Sequence, residues 1–119
     1  MSVMSRRAQP EAQLQRSLVE HLRWCACSDV WFTHIPNGGW RSKIEAAIFK
    51  ALGVQSGTPD LLIIRAGQPI FLELKARGRK LAPTQIDCHE ALRRAGVAVE
   101  TFDNIDAALR FLRRNGVLR

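Results

Sequence analysis

Asp60, Glu73 and Lys75 are the side chains whose types and spacing could do chemistry together. Glu73 and Lys75 lie in an apolar run, Pro69 to Lys75 (PIFLELK). On an extended strand successive side chains point to opposite faces. Phe71, Glu73 and Lys75 then share one face, and Leu72 and Leu74 the other. A carboxylate and an ammonium are thus set side by side within an otherwise apolar strand. Asp60 opens the neighbouring run, Asp60 to Arg65 (DLLIIR), and the intervening Ala66-Gly67-Gln68 suits a hairpin. Pairing the two runs brings Asp60 near Glu73.

Two converging carboxylates offer hard oxygen ligands to a cation such as Mg²⁺, which keeps several waters and can take a phosphate oxygen. Such an ion lowers the pKa of bound water and polarises a phosphoryl group. A neighbouring ammonium can orient that water or stabilise charge in the transition state. The chemistry these residues suit is metal-assisted phosphodiester hydrolysis. Glu73 and Lys75 alone would also fit an ordinary ion pair on a half-exposed strand, which contributes about 0–1 kcal/mol. Pro59-Asp60 upstream shifts the balance toward a site.

The elements that must position these residues can be read from the pattern around them. A helix is expected from Pro10 to about Trp24, with Leu14, Leu18, Leu22 and Cys25 on one stripe. Residues 30–35 (VWFTHI) read as a strand, and Pro36-Asn37-Gly38-Gly39 as a turn. A second helix is expected over Ser42 to Leu52, with Ile44, Ile48 and Ala51 inward and Gly53 as its stop. After the two central runs, Gly78-Arg79-Lys80 breaks the chain. A third helix runs from Pro83 or Thr84 to Ala95, closed by Gly96. Residues 97–102 (VAVETF) form a strand. Asp103 or Asn104 caps a last helix whose inward stripe is Ile105, Ala108, Leu109 and Leu112. This order gives an α/β fold, a sheet flanked by helices.

The chain of 119 residues suits one domain, residues 9–119, behind a flexible basic tail over residues 1–8. Eighteen Lys and Arg against eleven Asp and Glu leave a net charge of +7, which points to a polyanionic partner. No apolar run approaches the ~18 residues of a membrane helix, and the polar N-terminus lacks a secretory signal. Three cysteines, an odd number without framework spacing, fit a reducing cytoplasm. No Gly-rich phosphate loop supports nucleoside triphosphate hydrolysis.

Pro59-Asp60 followed by Glu73-Leu74-Lys75 resembles the PD-(D/E)XK nuclease signature. The wider set of Gly57-Thr58-Pro59-Asp60-Leu61, Glu73-Leu74-Lys75, Leu81-Ala82-Pro83-Thr84-Gln85 and His34-Ile35-Pro36-Asn37 is similar to the VRR-NUC branch of that superfamily. The resemblance covers roughly residues 11 to 110 and implies a restriction endonuclease-like core, a mixed β-sheet flanked by α-helices. It also implies a stand-alone endonuclease that hydrolyses DNA with Mg²⁺, Mn²⁺ substituting, on branched or junction DNA. By the same resemblance Asp60 and Glu73 hold the metal with the Leu74 backbone carbonyl. Lys75 contacts the attacking water, and Gln85 supports the site. The family also places a glutamate on its first helix. Glu11 lies three residues before Leu14 and seven before Leu18, on the inward stripe, whereas Glu20 points the other way. Glu11 is therefore the expected residue. Small chains of this kind are expected to pair as two-fold homodimers, since one site cuts one strand.

His34, Asn37 and Arg41 flank the glycine-rich turn, and Arg77, Arg79 and Lys80 follow the central strand. All six are candidate nucleic-acid contacts. His21, Cys25 and Cys27 lack the second ligand pair a zinc site needs, and Cys88 and His89 would face different directions on a helix. Buried structural cysteines are expected instead. Of Trp24, Trp31 and Trp40, at least two are expected in the core. A catalytically inactive DNA-binding module with the same fold is the alternative to an enzyme. An RNA-binding protein is a weaker one, since the chain lacks Tyr and an aromatic ribbon.

Overall fold

The computed structural model describes residues 3–36 and 41–119, with side chains from residue 10 onward. Eight elements follow the chain: α1 (Val3–Cys25), β1 (Val30–His34), α2 (Lys43–Ala51), β2 (Leu61–Arg65), β3 (Gln68–Leu74), α3 (Pro83–Arg94), β4 (Ala98–Phe102) and α4 (Ile105–Arg114). The strands form one mixed sheet in the order β1-β2-β3-β4. The first three are antiparallel to their neighbours, and β4 joins β3 in parallel. A parallel neighbour needs a crossover, and α3 supplies it.

The β2–β3 hairpin closes through Ala66 and Gly67, with Arg65 opposite Gln68. Both turn residues have positive φ, 50° and 77°. Two such residues in succession match the twist of the strands they connect. The register puts Leu61 opposite Leu72 and so sets Asp60 beside Glu73, as the alternation of the two runs requires.

One face of the sheet carries Leu61, Ile63, Ile70, Leu72 and Leu74, all buried with Leu18 and Leu22 of α1 and Ala108, Leu109 and Leu112 of α4. The stripes expected on the first and last helices are thus the ones that build the core. Asn104 caps α4 by accepting from Ala107 N at 2.9 Å. Val117 and Leu118 complete this layer, and Arg119 donates to the Trp24 carbonyl at 2.7 Å. The opposite face carries Phe71, Glu73, Lys75 and the buried Val99, with α3 packed beside β4.

Three expectations are corrected. The first helix begins at Val3, well before Pro10. Proline suits a first turn because its missing N–H is an orphan there; here it sits inside the helix, where one i→i−4 bond is lost. Helix α2 buries nothing: Ile44 is 75% exposed, Ile48 53%, and Ala51 is exposed as well. Its apolar stripe is real, but no element among the described residues covers it. Trp24 and Trp31 are 75% and 57% exposed, so they do not form the core; Trp40 lies outside the described residues. Among the described residues, no helix is long and apolar enough to cross a membrane.

Candidate active site

The site sits where β2 begins and β3 ends. Pro59 is fully buried and carries no N–H, a loss without consequence just before a strand. Asp60 follows and is held from two sides. Its backbone carbonyl accepts from Ile35 N at 2.8 Å and from His34 Nδ1 at 2.8 Å. Its carboxylate Oδ2 accepts from Leu74 N at 2.7 Å, which ties the acid to the neighbouring strand. A residue's N–H and C=O project to the same side of an extended strand, so the Leu74 carbonyl opens toward Asp60 too.

Glu73 is only 2% exposed. Burial pushes its carboxyl up to about 9, assisted by Asp60, which lies within hydrogen-bonding reach, and by the more distant Glu11. Lys75 pulls the other way. Three acids and one ammonium therefore share one electrostatic neighbourhood. Lys75, one residue past β3, is half-buried, its backbone N–H fixed to Phe102 O at 3.0 Å at the end of β4.

Glu11 reaches the site from α1. It is half-buried and accepts from Ala76 N at 3.2 Å, just past Lys75. Glu20 is exposed on the same helix, as the rotation argument requires. Gln85 stands in the first turn of α3, where its Oε1 accepts from Ala82 N at 2.8 Å and leaves the amide N–H₂ available. Gly57 allows α3 to come this close. Its φ is +78°, and a Cβ there would lie 2.2 Å from the Thr84 carbonyl oxygen.

The remaining candidates divide. His34 is exposed and spends Nδ1–H on the Asp60 carbonyl, so it braces the acid's backbone. A carbonyl only accepts, which fixes that tautomer. Arg41 lies over the Phe49 ring at 4.3 Å and donates to Pro36 O at 3.4 Å. Asn37 is outside the described residues. Arg77, Arg79 and Lys80 are exposed just beyond Lys75, and none of them is in an ion pair among the described residues. His21 bonds Ser17 O, and the three cysteines are free and only half-buried.

Sequence reasoning missed His89. It is 1% exposed on α3, and its Nε2 lies 3.2 Å from Glu73 Oε1. The signal was available: His89 is four residues after Gln85, one helical turn along the same face.

Among the described residues, no three His, Cys, Asp or Glu side chains group closely enough to hold a metal by themselves. A closed structural site is thus absent from them. The donors fit an open site for a hard cation, since Mg²⁺ is commonly bound by one or two carboxylates and keeps its waters. Asp60 retains Oδ1 and Glu73 retains Oε2, and a divalent cation would relieve the opposition between these acids.

A mixed sheet with a paired-acid and lysine end, flanked by helices, defines a nuclease-type fold. The family model for the VRR-NUC domain matches residues 5–103, and the chain belongs to that family. Two solved structures share the fold. One, a "VRR_NUC domain protein", superposes with a TM-score of 0.72 at 24% identity, covering 88% of this chain and 86% of that one. The other, a "VRR_NUC domain", has a TM-score of 0.61 at 22% identity and covers 87% and 95%. No curated protein matches the chain closely enough to count as a relative.

Proposed function

We propose that the chain is a Mg²⁺-dependent DNA endonuclease, with Mn²⁺ able to substitute. The observation that carries this reading is the contact of two acids, one buried and one tied to the next strand, with Lys75 beside them. Asp60, Glu73 and the Leu74 carbonyl would hold the metal. When bound, the metal polarises the scissile phosphoryl group and makes water a better nucleophile.

The protein's own residues set the rest. Leu74 N–H keeps the Asp60 carboxylate in place, and the His34 and Ile35 bonds keep the backbone behind it from yielding. Lys75 Nζ would hold the attacking water and stabilise charge developing on the phosphoryl oxygens. Glu11, anchored on Ala76 N–H, fixes the chain just past Lys75. The Gln85 amide would donate to a water or a phosphate oxygen at the site's edge. Arg77, Arg79 and Lys80 continue outward from Lys75 and would track the backbone of the bound strand, with Arg41 and His34 on the other flank. The net charge of +7 supports a nucleic-acid substrate.

Symmetric cleavage of a duplex or a four-way junction needs two such sites, so we place the chain in a two-fold homodimer acting on branched DNA. The uncovered apolar stripe of α2 supports that assembly. Three free thiols go with a reducing compartment.

A nicking assay on supercoiled plasmid and four-way junction DNA tests the reading. Asp60→Ala and Lys75→Ala are expected to abolish Mg²⁺-dependent cleavage while fold and DNA binding persist. Undiminished cleavage by either variant would rule the assignment out.

A further inference from the structure

His89 is the one buried polar side chain on α3, and its surroundings are specific. Its Nε2 stands 3.2 Å from Glu73 Oε1. Its Nδ1 has no hydrogen-bond partner and no access to solvent. An ionised carboxylate only accepts, so with Glu73 in that state the proton must lie on Nε2. Protonating Nδ1 as well would bury an N–H with nothing to receive it. With Glu73 ionised, the ring is therefore a neutral donor.

Neutrality matters for what it does to Glu73. An Arg or Lys in this place would orient the carboxylate but cancel its charge and repel a cation. A neutral imidazole orients it and leaves the charge whole. Its contact with Oε1 restrains the carboxylate's rotation and leaves the other oxygen outside that bond, with Asp60 within hydrogen-bonding reach of the carboxyl group. Helix α3 thus carries Gln85 and His89 one turn apart, with His89 against Glu73. Gly57 lets that helix approach the Asp60 loop closely.

We infer that His89 is a positioning residue for Glu73, donating from Nε2–H so that the carboxylate presents its other oxygen to a divalent cation shared with Asp60. The inference rests on the proposed hydrolytic reading of Asp60 and Glu73.

Two variants and one spectroscopic measurement test it. His89→Leu keeps the volume and removes the donor; His89→Gln keeps a donor amide. Mn²⁺ binding is measured by calorimetry on the DNA-free protein, with thermal unfolding as the folding control and steady-state oligonucleotide cleavage alongside. His89→Leu is expected to bind Mn²⁺ about 10–100-fold more weakly and to lose kcat with little change in KM for DNA. His89→Gln is expected to recover most of both. In the wild-type protein with Mg²⁺ bound, nitrogen NMR is expected to show the neutral Nε2–H tautomer of His89, its signals moved from those of the metal-free protein.

A folded His89→Leu protein with wild-type Mn²⁺ affinity would overturn the inference. So would a His89→Gln protein no better than His89→Leu, or a ring silent to Mg²⁺, a readout that stands even if His89→Leu fails to fold. Wild-type protein that neither takes Mn²⁺ nor cuts would overturn the hydrolytic reading and this inference with it. Wild-type protein that does both, beside an unaffected His89→Leu, removes only the role of His89.

Discussion

Glu73 holds a proton at neutral pH when no cation is present, because burial and Asp60 both oppose its charge. The consequence is a pH dependence of stability with a definite sign. Between the unfolded carboxyl's pKa, ~4.3, and about 9 in the folded protein, the native state keeps a proton that the unfolded state has released. Stability therefore falls as pH rises through this window. Unfolding temperatures in chelator-containing buffer are expected to decline from pH 5 to pH 9 in the wild type. Glu73→Gln, which carries no charge to bury, should flatten that decline. Mg²⁺ should restore the wild type at the alkaline end and leave the variant unchanged. A wild-type curve parallel to that of Glu73→Gln would show that Glu73 is not the group responsible. At this scale the sequence was informative about Asp60, Glu73 and Lys75, since alternation along a strand is a local property. For His89 it offered only the one-turn spacing from Gln85, because the packing of α3 decides which residue on that helix meets Glu73.

Among the elements, the join between the Asp60 loop and α3 is the most constrained. Gly57 and Gly53 both have positive φ, +78° and +99°, and either replaced by Ala would incur about 1–2 kcal/mol for the left-handed backbone. Only at Gly57 would the new Cβ also strike backbone, the Thr84 carbonyl, whereas at Gly53 nothing lies within 4 Å. Gly57→Ala is expected to lower the unfolding temperature more than Gly53→Ala. It should also reduce cleavage by displacing Gln85 and His89 from the acids. Equal effects of the two substitutions on stability and activity would show that the close approach has no role. The hairpin register was legible because a one-residue slip would turn every side chain to the wrong face. Helix boundaries were less so: Pro10 signals a helix start in sequence, yet α1 continues through it. The α2 stripe was legible as an apolar face, but periodicity does not say what covers it.

For the whole molecule, that uncovered stripe and the proposed two-fold assembly belong together. Ile44 and Leu52 are each 75% exposed and Ile48 53%, and apolar residues gathered on one helix face commonly mark an interaction surface. Ile48→Asp is expected to convert a dimer into a monomer, measured by light scattering at micromolar concentration. Its unfolding temperature in dilute solution should change little, because the protomer itself buries little of that side chain. A monomeric wild type would contradict the assembly. Exposed Trp24 and Trp31 teach the same lesson as α2: hydrophobicity indicates a need for cover, and only tertiary structure shows whether the protomer provides it. The fold class was legible because each strand and the first and last helices announced their own inner faces. The parallel attachment of β4 depends on the α3 crossover, which no single segment encodes.

The account turns on one cation shared by two acids. Crystals grown with Mn²⁺ and measured for its anomalous scattering test this directly. A single strong peak between the carboxylates of Asp60 and Glu73, next to the Leu74 carbonyl and lost in Asp60→Asn, is the predicted result. No peak there at a Mn²⁺ concentration that supports cleavage, or a peak held by other residues, would contradict it.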